Sequence, residues 1–361
     1  MRSITDTIKR LNARKAFLAP TSGAAGSRLV PLQHFGSNAG NLLGWHHVPS
    51  GLPIGAPLVV VLHGCTQTAA QYDAGSGWSQ LADKHGFALL FPEQQRSNNA
   101  NLCFNWFATA DITRGHGEVL SISQMVMKTT ELHSLDRSRT FITGLSAGGA
   151  MATAMLATYP EMFTGGAIIA GLPYATAASI PEAFDRMRGH GLQESERLAE
   201  RVRRASDHQG PWPSLSIWHG SADTTVDPVN MEAIIAQWHG LHELGRFPTT
   251  GSADGHPVRK WRNAEGAAVI KAYTIKGMGH GTPIKSSGSR SAGIARPFML
   301  DVGISSTWHI ARSWDLIRDD CLSQEVVEHA PVPQKTFQDE GGLQSVSGVI
   351  EKALRTAVLM K

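Results

Sequence analysis

Five short apolar runs punctuate the middle of the chain: Leu58 to Leu62 (LVVVL), Phe87 to Phe91 (FALLF), Thr140 to Thr143 (TFIT), Ala167 to Ala170 (AIIA) and Leu215 to Trp218 (LSIW). A run with no polar alternation suits a strand covered on both faces, as in the middle of a parallel sheet. Between these runs, helical patterns span Trp78 to His85, Leu120 to His133, Ala147 to Tyr159 and Met231 to Leu244. Strand and helix in alternation imply right-handed crossovers and a mostly parallel sheet with helices on both faces, so the predicted class is α/β. Val258 to Arg262 and Val269 to Ile275 flank Asn263-Ala264-Glu265-Gly266, a break that predicts a hairpin.

The pattern also divides the chain. Residues 1–28 read as a helix, with Ile4, Ile8, Leu11 and Phe17 roughly on one face, followed by a linker rich in Ala, Gly, Pro and Ser. Residues 29–316 read as the α/β catalytic domain. Within it, 181–206 is a charged helical stretch that breaks the alternation, either as a cap over the site or as a solvated surface helix. Residues 317–361 read as a linker and a last amphipathic helix, Leu343 to Leu359, suited to packing on the body or on a second copy in a homo-oligomer.

Composition narrows the class without changing it. Of 361 residues 42% are hydrophobic and 17% charged, with 37 glycines, which fits a compact globular enzyme. The formal charge of +3 is mild, and the short basic run Arg201, Arg203 and Arg204 stands among Glu194, Glu196 and Glu200, so nucleic acid is not an expected partner. The first 26 residues hold no apolar block of secretory-signal length, and no stretch has the length of a transmembrane segment, so the expected location is cytoplasmic. Three cysteines at these spacings match no zinc site; no metal and no cofactor are expected.

The sharpest local signal is Gly144-Leu145-Ser146-Ala147-Gly148, a G-x-S-x-G pattern between a strand-like run and a helix of small residues. Such a turn lifts the Ser146 hydroxyl off the sheet toward a base and a substrate. That base must be an imidazole arriving late in the chain, and His280 in Gly277-Met278-Gly279-His280-Gly281 is the best placed of sixteen histidines. The acid should fall between them. Asp223 lies just past the strand-like Leu215 to Gly220, whereas Asp227, before Pro228, has a sufficient role in starting the next helix. Asp223 is therefore assigned. For the oxyanion, the N–H of Ala147 supplies one donor and the loop His63-Gly64-Cys65-Thr66-Gln67 the other, with Cys65 chosen and Thr66 as the alternative. Thr66, Trp106 and Tyr174 are candidate substrate contacts, with Phe107 beside Trp106.

HGCTQT at 63–68, LCFNWF at 102–107, RGHGE at 114–118, GLSAGGAMA at 144–152, IAGLPY at 169–174 and WHGSADTTVDP at 218–228 together resemble the PHB depolymerase family of esterases, relatives of feruloyl and acetylxylan esterases. The resemblance implies the α/β-hydrolase fold and a serine esterase using Ser146, Asp223 and His280, with Cys65 in the oxyanion role. It also implies a Cys65–Cys103 disulfide, for which free buried thiols are the alternative. Family members are often secreted and carry a polymer-binding domain, whose pattern is missing here; this favours soluble hydroxyalkanoate oligomers or other short-chain esters over solid polymer. The competing expectations are a feruloyl or aryl esterase and a non-catalytic binding protein on the same scaffold.

Overall fold

In a computed structural model of the chain, the described residues are 27–317 apart from 243. The helical readings at the two termini lie outside them. The main sheet has ten strands: β1 (Val30–Leu32), β2 (Leu43–His47), β3 (Leu58–Leu62), β4 (Ala88–Glu93), β5 (Thr140–Leu145), β6 (Gly165–Ile169), β7 (Ser214–Gly220), β8 (Thr249–Ala253), β9 (His256–Arg262) and β10 (Ala268–Ile275). Their spatial order is β1-β2-β4-β3-β5-β6-β7-β10-β9-β8. The pairings from β4 through β10 along that order are parallel, and antiparallel pairs finish both edges. This is the α/β-hydrolase fold.

Each apolar run became a parallel strand because it has two faces to bury. In β3, Leu58, Val60 and Leu62 enter one core, while Val59 and Val61 enter the core on the other side of the sheet. Successive side chains of a strand alternate between faces, so only an unbroken apolar run can satisfy both layers. The first core is covered by the helices α3 (Gly117–Leu132), α4 (Ala147–Thr158) and α7 (Val229–His239), the second by α1 (Ala69–Ser76), α2 (Trp78–His85) and α8 (Ser306–Ser313). Trp314, just past α8, stacks on Phe141 with ring centroids 4.7 Å apart and seals the second layer.

The predicted stretch 181–206 contains two helices, α5 (Ile180–Met187) and α6 (Ser195–Arg203). Ser179 caps α5 through Glu182 N. On α6, Arg203 pairs with Glu196 and Glu200, and Arg204 just past its end pairs with Glu200, so two of the three arginines of the basic run face neighbouring carboxylates. The predicted hairpin is present as β9 and β10, and β8 adds an edge strand to it. The helix expected to reach Leu244 ends at His239. Among the described residues, no helix is long and apolar enough to cross a membrane.

Candidate active site

The chemistry gathers at the carboxyl ends of β3, β5 and β7. Ser146 follows β5 directly, with φ 56° and ψ −117°, a conformation that side-chain-bearing residues seldom adopt. Its N–H is anchored to Ile169 O at 2.9 Å and its carbonyl starts α4 by accepting from Ala150 N at 2.8 Å. The flanking glycines are required by close backbone approach. A Cβ on Gly144 would stand 2.4 Å from the carbonyl of Gly148, and one on Gly148 would stand 2.4 Å from His63 O. The second contact brings the start of α4 against the loop after β3.

That loop is held by its own side chains. His63 is fully buried; its Nδ1–H donates to Gly64 O at 2.7 Å and its Nε2 accepts from Gln94 N at 3.1 Å, a tautomer that follows from the two partners. Burial pushes the imidazole down to about 4, against a smaller opposing effect of the Gly64 bond, so it stays neutral in ordinary buffers. Gln67 Oε1 accepts from Gly64 N at 2.9 Å, and Thr68 and Gln71 form a reciprocal cap on α1. Cys65 and Cys103 are joined by a disulfide.

Among the described residues, the N–H groups of Cys65 and Ala147 have no backbone acceptor. The Thr66 N–H, by contrast, already donates to Asn101 O at 2.7 Å. This removes Thr66 as the alternative oxyanion donor, and its exposed side chain does not line the cavity at Ser146.

Asp223 and His280 meet in the turn beyond β7. His280 Nδ1 lies 2.7 Å from Asp223 Oδ2, with side-chain exposures of 5% and 0%. The other oxygen of Asp223 accepts from Thr225 N and Val226 N, both at 2.9 Å. A second histidine completes the shell. His219 Nε2 donates to Val226 O at 2.9 Å and stands 3.5 Å from Asp223 Oδ2. Burial alone would raise the Asp223 carboxyl, but hydrogen bonds from His219 and His280, the His280 charge and the Val226 N–H outweigh it and hold Asp223 well below the usual carboxylate range. Asp227 precedes the cap residue Pro228, and its Oδ1 accepts from Val229 N at 2.9 Å in the first turn of α7.

Among the described residues no hydrogen bond joins Ser146 Oγ to the His280 ring, in keeping with the looser geometry common in ligand-free sites. The three side chains share one end of the sheet: β5 and β7 flank β6, and the loop carrying His280 is tied to the β7 turn by Ala222 N to Met278 O at 3.0 Å.

A cavity of about 10 Å³ opens at Ser146, walled by Trp106, Leu172, Met187 and Val226 with the disulfide at its side. It is about the smallest volume that admits one water molecule. A concavity of about 330 Å³ elsewhere, among Arg114, Met127, Tyr159 and Met162, reaches Thr140 at the opposite end of β5 and holds none of these groups. Size alone would direct attention to the wrong end of the sheet.

Besides Thr66, two of the sequence readings of substrate contact need correction. Trp106 does face the cavity. Tyr174 is packed in the core with its hydroxyl donating to Ile112 O at 3.2 Å and its N–H to Gln237 Oε1, so its polar atoms are committed away from Ser146. Phe107 packs edge-on against Trp106, centroids 5.7 Å apart, without reaching the cavity.

The sequence reading gave no role to Glu118, Gln94, His219 or Met187. Glu118, wholly buried, accepts from Gln94 Nε2 and from Asn105 N, while Gln94 Nε2 also donates to Cys103 O. Burial, reinforced by Asp111, pushes the Glu118 carboxyl well up. In sequence it looks like an ordinary acid in the first turn of a helix, where the dipole favours it. Only its position inside the RGHGE segment gave a signal.

Among the described residues no group of three or more His, Cys, Asp or Glu could hold a metal ion.

The chain matches the esterase PHB depolymerase family over residues 46–259. A poly(3-hydroxyalkanoate) depolymerase C of Paucimonas lemoignei is 44% identical over 325 residues, covering 86% of this chain and 78% of that protein. Acetylxylan esterase A of Aspergillus oryzae is 32% identical over 274 residues, covering 74% and 87% respectively. Among solved structures, an acetyl xylan esterase from Aspergillus awamori superposes with a TM-score of 0.68 at 24% identity, covering 80% of this chain and 99% of its own.

Proposed function

The chain belongs to the PHB depolymerase family of esterases and is a carboxylic ester hydrolase; from that premise we propose that Ser146, His280 and Asp223 are its catalytic triad, with Cys65 N–H and Ala147 N–H as the oxyanion donors. As the Ser146 Oγ–acyl bond forms, the hydroxyl proton passes to His280 Nε2 and then to the departing alkoxide as the ester C–O bond breaks. Water repeats the sequence on the acyl-enzyme, giving the free acid and restoring the serine.

The observation that carries this reading is the buried 2.7 Å His280–Asp223 pair at the sheet end that bears the strained Ser146. The carboxylate fixes Nδ1 as the donor, which leaves Nε2 as the proton acceptor. Ser146→Ala is expected to abolish turnover of p-nitrophenyl butyrate and labelling by a fluorophosphonate probe; wild-type turnover in that variant would overturn the assignment.

For substrate, the names of the relatives bring two classes of short ester, hydroxyalkanoate and acetyl. Both are small-molecule or oligomeric esters, and initial rates on 3-hydroxybutyrate oligomers, acetylated xylan and feruloyl esters rank them directly. The domain reading is proposed in the same terms: residues 29–316 carry the activity, and a chain ending at 317 should keep its turnover of soluble esters. The Cys65–Cys103 bond argues for an oxidising compartment in place of the cytoplasm, since reducing cytosol does not sustain such bonds.

A further inference from the structure

The cavity at Ser146 is too small for most acyl groups, and one wall differs from the rest. Val226 is gripped through both backbone groups, its N–H on Asp223 and its carbonyl on His219. Leu172 is 1% exposed and its carbonyl accepts from Thr153 Oγ1 at 2.9 Å. Trp106 is wedged against Phe107. Met187 is the last residue of α5, in the stretch that interrupts the strand and helix alternation, and its carbonyl is pinned by Asp227 N at 2.7 Å. Its backbone is fixed while its side chain is unbranched, with three rotatable bonds and a soft thioether that fills irregular gaps.

We propose that this cavity is the acyl site and that the Met187 side chain closes its end, setting the longest acyl chain the enzyme accepts. The cavity has room for about one water-sized group, so the methyl of an acetyl ester fits without rearrangement. Each further methylene must displace Met187, and a closely packed wall yields only at a cost. The preferred substrate class is therefore acetyl and comparably short unbranched acyl esters, and the broad planar feruloyl group is excluded. The inference rests on Ser146 being the acylated residue.

The test is a chain-length series of p-nitrophenyl acetate, butyrate, hexanoate and octanoate on the full chain. In the wild type, kcat/KM should fall at least about tenfold from acetate to hexanoate, the scale on which pockets discriminate methylenes. Met187→Ala should raise the hexanoate to acetate ratio at least about tenfold, and Met187→Leu, close in volume, should keep the wild-type ratio. If the alanine variant does not fold, Met187→Val must move the ratio in the same direction. A ratio unchanged in the shortened variants, or a wild type that prefers hexanoate, overturns the proposal. Fluorophosphonate titration of each variant separates the two layers of the argument. Labelling lost in Ser146→Ala, with an unmoved ratio in Met187→Ala, sinks the Met187 inference alone; labelling that persists in Ser146→Ala sinks the catalytic reading beneath it.

Discussion

Asp223 receives four donors on two oxygens, and that arrangement makes its replacement by asparagine informative. In Asp223→Asn the Oδ1 atom can still accept from Thr225 and Val226, so the turn should survive. The new amide N–H would face His280 Nδ1, however, and demand the tautomer that carries its proton on Nε2. An imidazole protonated there cannot accept the serine proton. We expect kcat for p-nitrophenyl butyrate to fall by about 10⁴, the size of loss known for a wrong tautomer in such triads, and the melting temperature to fall as well, because the neutral amide forfeits the stability of the buried carboxylate. The residues of this set that speak a local language were legible in sequence. Ser146 and His280 announce themselves by glycine-flanked loops after strand-like runs, and Asp223 by its place before an aspartate that has a helix to start. His219 and Glu118 were not legible, because a histidine inside a strand and an acid at a helix start are ordinary until the fold buries them.

At the scale of elements, the His280 loop is positioned by the strand it folds over. A Cβ on Gly220 would stand 2.2 Å from Met278 O and 2.6 Å from Gly279 O, two backbone atoms of that loop that have no flexible way to retreat. Gly220→Ala should therefore shift the imidazole against Ser146. A displacement of about 1 Å costs on the order of a hundredfold in rate, so kcat should drop by about that factor. Gly279→Ala is the control, since its Cβ would meet nothing within 4 Å and its φ lies outside the left-handed range; kcat within about twofold of wild type is expected. A similar loss in both variants would mean that the loop tolerates no side chain at all, and the contact with Gly220 would not be the cause. The same scale marks where periodicity ran out. Runs buried on both faces read correctly because burial imposes their pattern, but β8, with the sequence Thr-Thr-Gly-Ser-Ala mostly exposed at the sheet edge, has no core to print one. The charged stretch around α5 and α6 could be recognised as helical, while the place of Met187 in the cavity wall stayed hidden among solvated neighbours.

For the molecule as a whole, acid stability should be governed by histidines held neutral before carboxylates matter. His63 and His242 are both pushed down to about 4, chiefly by burial, with bonds to Gly64 O and Pro213 O opposing. Their folded values lie below the unfolded value of roughly 6.5, so as pH falls the unfolded chain takes up protons first. The stability they contribute is complete above about 6.5, declines from there through about 4, and changes no further below it. Each shift corresponds to on the order of 3 kcal/mol, a large part of the 5 to 15 kcal/mol typical of a folded domain. Asp223 behaves differently. Its lowered folded value makes its contribution complete above the ordinary carboxylate range and lost only as pH falls below that range. Glu118, raised by burial, contributes in the reverse sense and loses stability as pH rises. Comparing wild type with His242→Gln cancels both carboxyls, because they are common to the two proteins. The glutamine keeps an amide donor for Pro213 O but cannot take up a proton, so the drop in unfolding free energy between pH 7 and 4.5, measured by urea titration, should shrink by about 2 to 3 kcal/mol. An equal drop in both proteins would place the acid sensitivity elsewhere than in the histidine beside Pro213.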